Sequence, residues 1–231
     1  MLNEQGGNIF IVDGQQRLTT FVIFIQAISE IIKNIPDNKD KKDEEIYLGS
    51  FSLKAIKEDY LVVHRPPQFI ISTYKFSYEV DNPSFKFLKY RVFNEPNSGT
   101  IQETFYTLNL ENAKQFFTDN LKYYYDKYGL IEIEILFKKL TQNLMFNVYE
   151  ISDDFDVFVA FETMNNRGIV LSNLEIVKNR LLYLTSKVPS TDETKSELLE
   201  LSNLINKKWS HILKNLTLPN YVLNENTFLA N

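Results

Sequence analysis

Ile9-Phe10-Ile11-Val12-Asp13-Gly14-Gln15-Gln16-Arg17-Leu18-Thr19-Thr20 is the stretch whose reading decides the fold. Four β-prone residues run into Asp-Gly, and an apolar-periodic segment follows at once. That order predicts a buried strand, a tight turn and a helix start. Leu18, Phe21, Val22, Phe24, Ile25, Ile28, Ile31 and Ile32 recur at near-helical spacing, so Gln15 to Asn34 reads as one helix stopped by Pro36. A helix start exposes N–H groups and a partial positive charge, and both favour anions. Gly14 lets the backbone approach a ligand closely. Arg17 suits phosphate oxygens, and Gln15 and Gln16 can donate and accept. Asp13 is a candidate helix cap, metal ligand or water-orienting group. Asp-Gly is equally an ordinary turn, so the residues alone leave both readings open.

Composition narrows the field. The chain has 231 residues and 44% hydrophobic content, enough for one sizeable core or a core plus part of a second domain. It contains no Cys, which removes disulfides, thiol catalysis and cysteine-based zinc sites and points to a cytoplasmic protein. Its two histidines, His64 and His211, are far apart, so a histidine-based metal nuclease within the chain is not expected. The net charge of −5 gives no global pull toward nucleic acid. No run reaches the ~18 to 20 apolar residues that a bilayer span needs, so no membrane partner is expected.

Along the chain, Met1 to Gly7 reads as loop. Asn8 to Val12 then forms a strand with an unpaired edge, to be covered by something else such as a partner chain. Between Ile46 and Val80 the pattern is β-like, with short strands at Glu45 to Leu48, Tyr60 to Val63 and Phe69 to Ser72. Helices are expected at Phe85 to Phe93, Asn109 to Tyr128 and Ile131 to Asn143, then a strand at Leu144 to Ile151. The tyrosines of 123–128 read as core and rim packing rather than base-stacking groups. Ser152 to Asp156 is an acidic cluster that suits either Mg²⁺ or a helix N-terminus. A second polar turn, Asn165-Asn166-Arg167-Gly168, precedes a helix capped by Ser172 and Glu175. Local structure accounts for Gly168, Ser172 and Glu175. It does not account for Asn165, Arg167, Lys178 and Asn179. Ser186 to Lys195 reads as a linker, and Ser196 to Leu216 as a helix with Trp209 as its packing anchor.

Two blocks carry a family resemblance. Asp13-Gly14-Gln15-Gln16-Arg17 with Leu18-Thr19-Thr20 resembles the signature of the GmrSD-type restriction endonuclease N-terminal domain family. Phe161-Glu162-Thr163-Met164-Asn165, Arg167-Gly168, Leu171-Ser172 and Lys178-Asn179 resemble its second block, with Glu175 where the family usually has Asp. The resemblance implies an α+β, ParB/sulfiredoxin-like fold with a small mixed sheet. A large helical insertion would span about 46–143, in a domain of 1–185, and 186–231 would begin a helical segment. Because family members usually carry a strand and helices before the motif, an N-terminally shortened chain is expected. The resemblance further implies a nucleotide-binding, hydrolysing module of a modification-dependent DNA restriction and phage-defence system. Its cofactors would be Mg²⁺ and a nucleoside triphosphate of unspecified base. Catalysis would fall to Asp13, Gln16 and Arg17, with Asp13 on the metal. Phosphate would be held by Gly14, Gln15, Arg17, Asn165, Arg167 and Lys178. An HNH-type nuclease domain or subunit would contact and cut DNA, and this chain alone would not. The competing reading is a non-catalytic nucleotide- or DNA-binding remnant that acts only with such a partner.

Overall fold

A computed structural model of the chain describes residues 2–5, 8–11, 14–64, 72–78, 82–96, 101, 105–148, 150, 173–188 and 192–216. Their elements are α+β and mostly helical, with a large helical segment where the insertion was expected. The described strands form three separate antiparallel pairs. The chain divides into two compact units, one of 14–149 and one of 1–13 with 150–231.

The first unit is organised around α1 (Gln15–Asn34), which has the bounds read from the sequence. Ile25, Ala27, Ile28 and Ile32 are fully buried, and Val22 and Ile23 nearly so. Each buried Val or Ile among them contributes roughly 1.5 to 3 kcal/mol. α1 lies against α4 (Phe105–Tyr128), where Phe24 and Phe117 bring their ring centroids to 4.9 Å. The core is completed from α2 (Leu53–Tyr60) by Leu53 and Ile56, and from α5 (Leu130–Lys138) by Ile133 and Phe137. A short helix, α3 (Pro83–Phe87), runs into a π-helical turn at Leu88–Val92 and adds Phe87, Leu88 and Val92. Two hairpins flank these helices. β3 (Tyr47–Leu48) pairs with β4 (Phe51–Ser52), and β5 (Val62–His64) pairs with β6 (Ser72–Tyr74).

One ammonium group knots three of these elements. Lys114 Nζ of α4 stands 2.9 Å from Glu30 Oε1 of α1. It also donates to the carbonyls of Val92 at 2.7 Å and Arg91 at 3.1 Å, where the π-helical turn ends. The same Glu30 oxygen accepts from Asn94 Nδ2 at 2.8 Å. Asn94 has φ +56°, a left-handed conformation that Asn tolerates better than most residues.

The second unit contains a hairpin and a helical pair. β1 (Leu2–Gln5) pairs with β2 (Asn8–Ile11), with Leu2 opposite Ile11 and Gln5 opposite Asn8. Two glycines, Gly6 and Gly7, separate the strands in sequence. α6 (Asn173–Lys187) and α7 (Asp192–Leu216) pack together, and the Trp209 indole N–H donates to the Leu174 carbonyl at 3.1 Å. Trp209 is thus the anchor expected of it.

Several expectations are corrected. Most of Met1 to Gly7 is not loop, because Leu2–Gln5 forms β1 and pairs the edge of β2 without a partner chain. The β-like reading of 46–80 missed α2, whose Ser52 side chain caps it by accepting from Ala55 N at 3.1 Å. Instead of strand from Glu45, residues Asp43–Glu45 form a 3-10 turn and the strand starts at Tyr47. No strand forms over 144–148, where Met145 is 90% exposed and Phe146 turns its ring edge-on to Phe21. Most of the expected linker is helix: α6 runs to Lys187 and α7 begins at Asp192. The tyrosine reading holds for Tyr124 and Tyr125, which pack on the core, while Tyr123 and Tyr128 are exposed beside Lys127.

Candidate functional site

Gly14 occupies the N-cap of α1 with φ +94°, a left-handed conformation open to glycine at little cost. Its carbonyl accepts the first helical bond, from Leu18 N at 3.0 Å. No Asp or Glu stands in the first turn of α1, and Gly14 offers no side-chain cap. Gln15, Gln16 and Arg17 are exposed there. The Arg17 side chain folds back along the turn. A Cβ added to Gly14 would stand 3.7 Å from its Nη2, 3.9 Å from Nε and 4.0 Å from Cζ. The positive end of the helix dipole and a guanidinium therefore share one exposed corner. In a surface helix an acidic side chain usually offsets that dipole. The arrangement suits an anion with several oxygens, which can take backbone N–H groups and the guanidinium fork together.

The rest of the first block secures that corner. Thr19 is buried, and its Oγ1 hydrogen-bonds the Tyr78 hydroxyl at 3.0 Å. Thr20 donates to the Gln16 carbonyl at 2.8 Å, one turn back. Leu18 is half-buried. Leu18-Thr19-Thr20 thus roots the turn in its own unit while Gln15 to Arg17 face solvent. Sequence reading missed Tyr78, a single tyrosine near the end of the β-like stretch 46–80 and outside the strands expected there. Burial raises its hydroxyl above the usual tyrosine value, and the bond to Thr19 partly offsets this.

Of the second block, the structure describes the helix but not the turn. Lys178 and Asn179 are half-buried in the second turn of α6, and Leu174 before them is fully buried. Asp13, Asn165, Arg167, Gly168, Ser172 and the acidic cluster of 152–156 lie outside the described residues. Gly14, Gln15, Gln16 and Arg17 are together in one turn, and Lys178 belongs to the other compact unit. Among the described residues no three His, Asp or Glu side chains cluster as metal ligands, and no helix is long and apolar enough to cross a membrane. His64 ends β5 with its Nε2 3.7 Å from Glu58 Oε1.

Comparison with known proteins bears on the same blocks. The family described as GmrSD restriction endonuclease, N-terminal domain, matches residues 1–182, which covers both. No curated protein and no solved structure matches the chain. By the extent of that match, the chain belongs to the GmrSD restriction endonuclease N-terminal domain family and is a component of a restriction-type defence system.

Proposed function

We propose that the chain binds a nucleoside triphosphate with Mg²⁺ at the Asp13 to Arg17 turn and hydrolyses it, as the nucleotide-dependent module of a DNA restriction system. The observation that carries this reading is the exposed corner where Gly14, the start of α1 and the Arg17 guanidinium meet. Backbone N–H groups after Gly14 cradle phosphate oxygens, and Arg17 neutralises their charge. Asp13 positions Mg²⁺ or the attacking water, with Gln16 beside it; water positioning and charge neutralisation are the two protein contributions that phosphoryl transfer needs. Asn165, Arg167 and Lys178 are further phosphate ligands by the family resemblance, which also supports the ParB/sulfiredoxin relation; the absence of cysteine supports a cytoplasmic location. DNA is cut by an HNH-type nuclease domain or subunit, because this chain offers no cysteine and only two distant histidines.

Phosphate release from ATP, GTP and CTP, each with Mg²⁺, tests the catalytic half. Release from at least one nucleotide is expected, falling on the order of a hundredfold in Arg17→Ala, the scale for a lost charge-stabilising donor. Nucleotide binding without release from any of the three would favour the second reading, a non-catalytic binding module.

A further inference from the structure

One arc of α7 carries two acids, Glu197 and Glu200, followed along the helix by two cations, Lys207 and Lys208, and all four are exposed. Between them Leu201 and Leu204 are 45% and 49% exposed. On a helical wheel these six residues share an arc of roughly 120°. Leu198, Ile205, Trp209 and Ile212 form a separate, half-buried face, the one that Trp209 ties to α6. The opposite charges cannot meet within the helix. Glu200 and Lys207 are roughly 10 Å apart along the axis and Glu197 and Lys208 roughly 16 Å, beyond the one-turn reach of helical ion pairs. None of the four has an ion-pair partner among the described residues.

We propose that this face of α7 pairs with the same face of a second copy of the chain, antiparallel, about a two-fold axis between Ser202 and Asn203. That axis is singled out by the sequence itself. Leu201 with Leu204, and Glu197 with Lys208, have the same midpoint. One two-fold therefore sets Leu201 against Leu204 of the second copy and Glu197 level with its Lys208. Glu200 and Lys207 fall one residue off that midpoint, within reach of their long side chains. A parallel pair would stack acid on acid and base on base, so the charge pattern rejects it. The pattern is its own complement, which is what an isologous contact requires and what an unrelated partner would not need. α7 lies beyond the residues matched by the family.

Sedimentation equilibrium of the full 27.1 kDa chain tests the proposal. The weight-average mass should rise with concentration toward twice that value. Glu197→Lys faces two lysines with lysines, once at each end of the contact, and should raise the dimer dissociation constant about tenfold. Combining Glu197→Lys with Lys208→Glu restores complementarity and should restore the dimer. All these positions are exposed, and unchanged far-UV circular dichroism verifies that the variants fold. A mass of 27.1 kDa at every concentration would overturn the proposal. So would a dimer indifferent to Glu197→Lys, or one that the double variant fails to rescue. The exposed stripe Val177, Leu181 and Leu184 on α6 is the competing surface. A dimer lost in Leu181→Asp and untouched by the charge variants would place the contact there instead.

Discussion

Lys114 concentrates more structural work in one atom than any residue of the sequence motifs. Its ammonium serves a carboxylate on α1, two carbonyls ending the π-helical turn and the Asn94 side chain, and it is only 16% exposed. Replacing it with Met keeps the aliphatic stem but takes from Glu30 its cation, leaving it the amides of Asn94 and Gln26, and removes a donor from two carbonyls. Lys114→Met should lower unfolding free energy by about 2 to 3 kcal/mol, below the full cost of a deeply buried pair because both ends keep some water. A urea melt with an unchanged slope checks it. Tyrosines give a second test, through pH. Burial, with the hydrogen bond to Glu95 at 2.5 Å, raises the Tyr74 hydroxyl far above its ordinary value of 10.0. Burial likewise raises Tyr78. The unfolded chain ionises first, so this stability is present in full below the unfolded value and is lost as pH climbs past it toward the folded value. Stability should therefore fall as pH rises above about 10, and less steeply in a Tyr74→Phe, Tyr78→Phe double variant. Equal slopes in the two proteins would refute this assignment.

At the scale of elements, the β3–β4 hairpin shows how one conformation binds two elements together. Gly49 turns the chain at φ +60°, and a Cβ there would stand 2.0 Å from the Glu134 carboxylate of α5. Gly49→Ala must pay left-handed strain and displace Glu134 from its bond to Lys138. A loss of about 1 to 2 kcal/mol is expected, the scale of that strain for a residue with a Cβ. A thermal melt within error of the parent would contradict the placement. Legibility followed the same physics. α1 was readable because its apolar residues keep one period for five turns and Pro36 ends it. α2 was not, because its eight residues sit among β-prone neighbours and the decisive signal, Ser52 as a cap, is a single residue. β1 was missed because its few polar residues carry no alternation; Gly6-Gly7 was the available hairpin signal. The 144–148 stretch was misread because β-prone composition stood in for a partner strand. Lys114 and Tyr78 had no sequence signal at all, since each acts through a contact far along the chain.

For the whole molecule, the family was legible because two blocks match in order, and the match over 1–182 bears that out. The first block proved to be two layers. Leu18-Thr19-Thr20 anchors the turn, and Gly14 to Arg17 present it. With a net charge of −5, the chain attracts a polyphosphate only through such a local cationic corner. Whether that corner takes a triphosphate is the central claim. The most direct measurement is calorimetric titration of the folded chain with ATP, GTP and CTP in Mg²⁺, beside the same titrations of Arg17→Ala. Saturable heat is expected with at least one nucleotide, weakened in the variant by about 1 to 3 kcal/mol, the scale of a charge-assisted hydrogen bond. No heat with any nucleotide, or equal affinity in the two proteins, would contradict it.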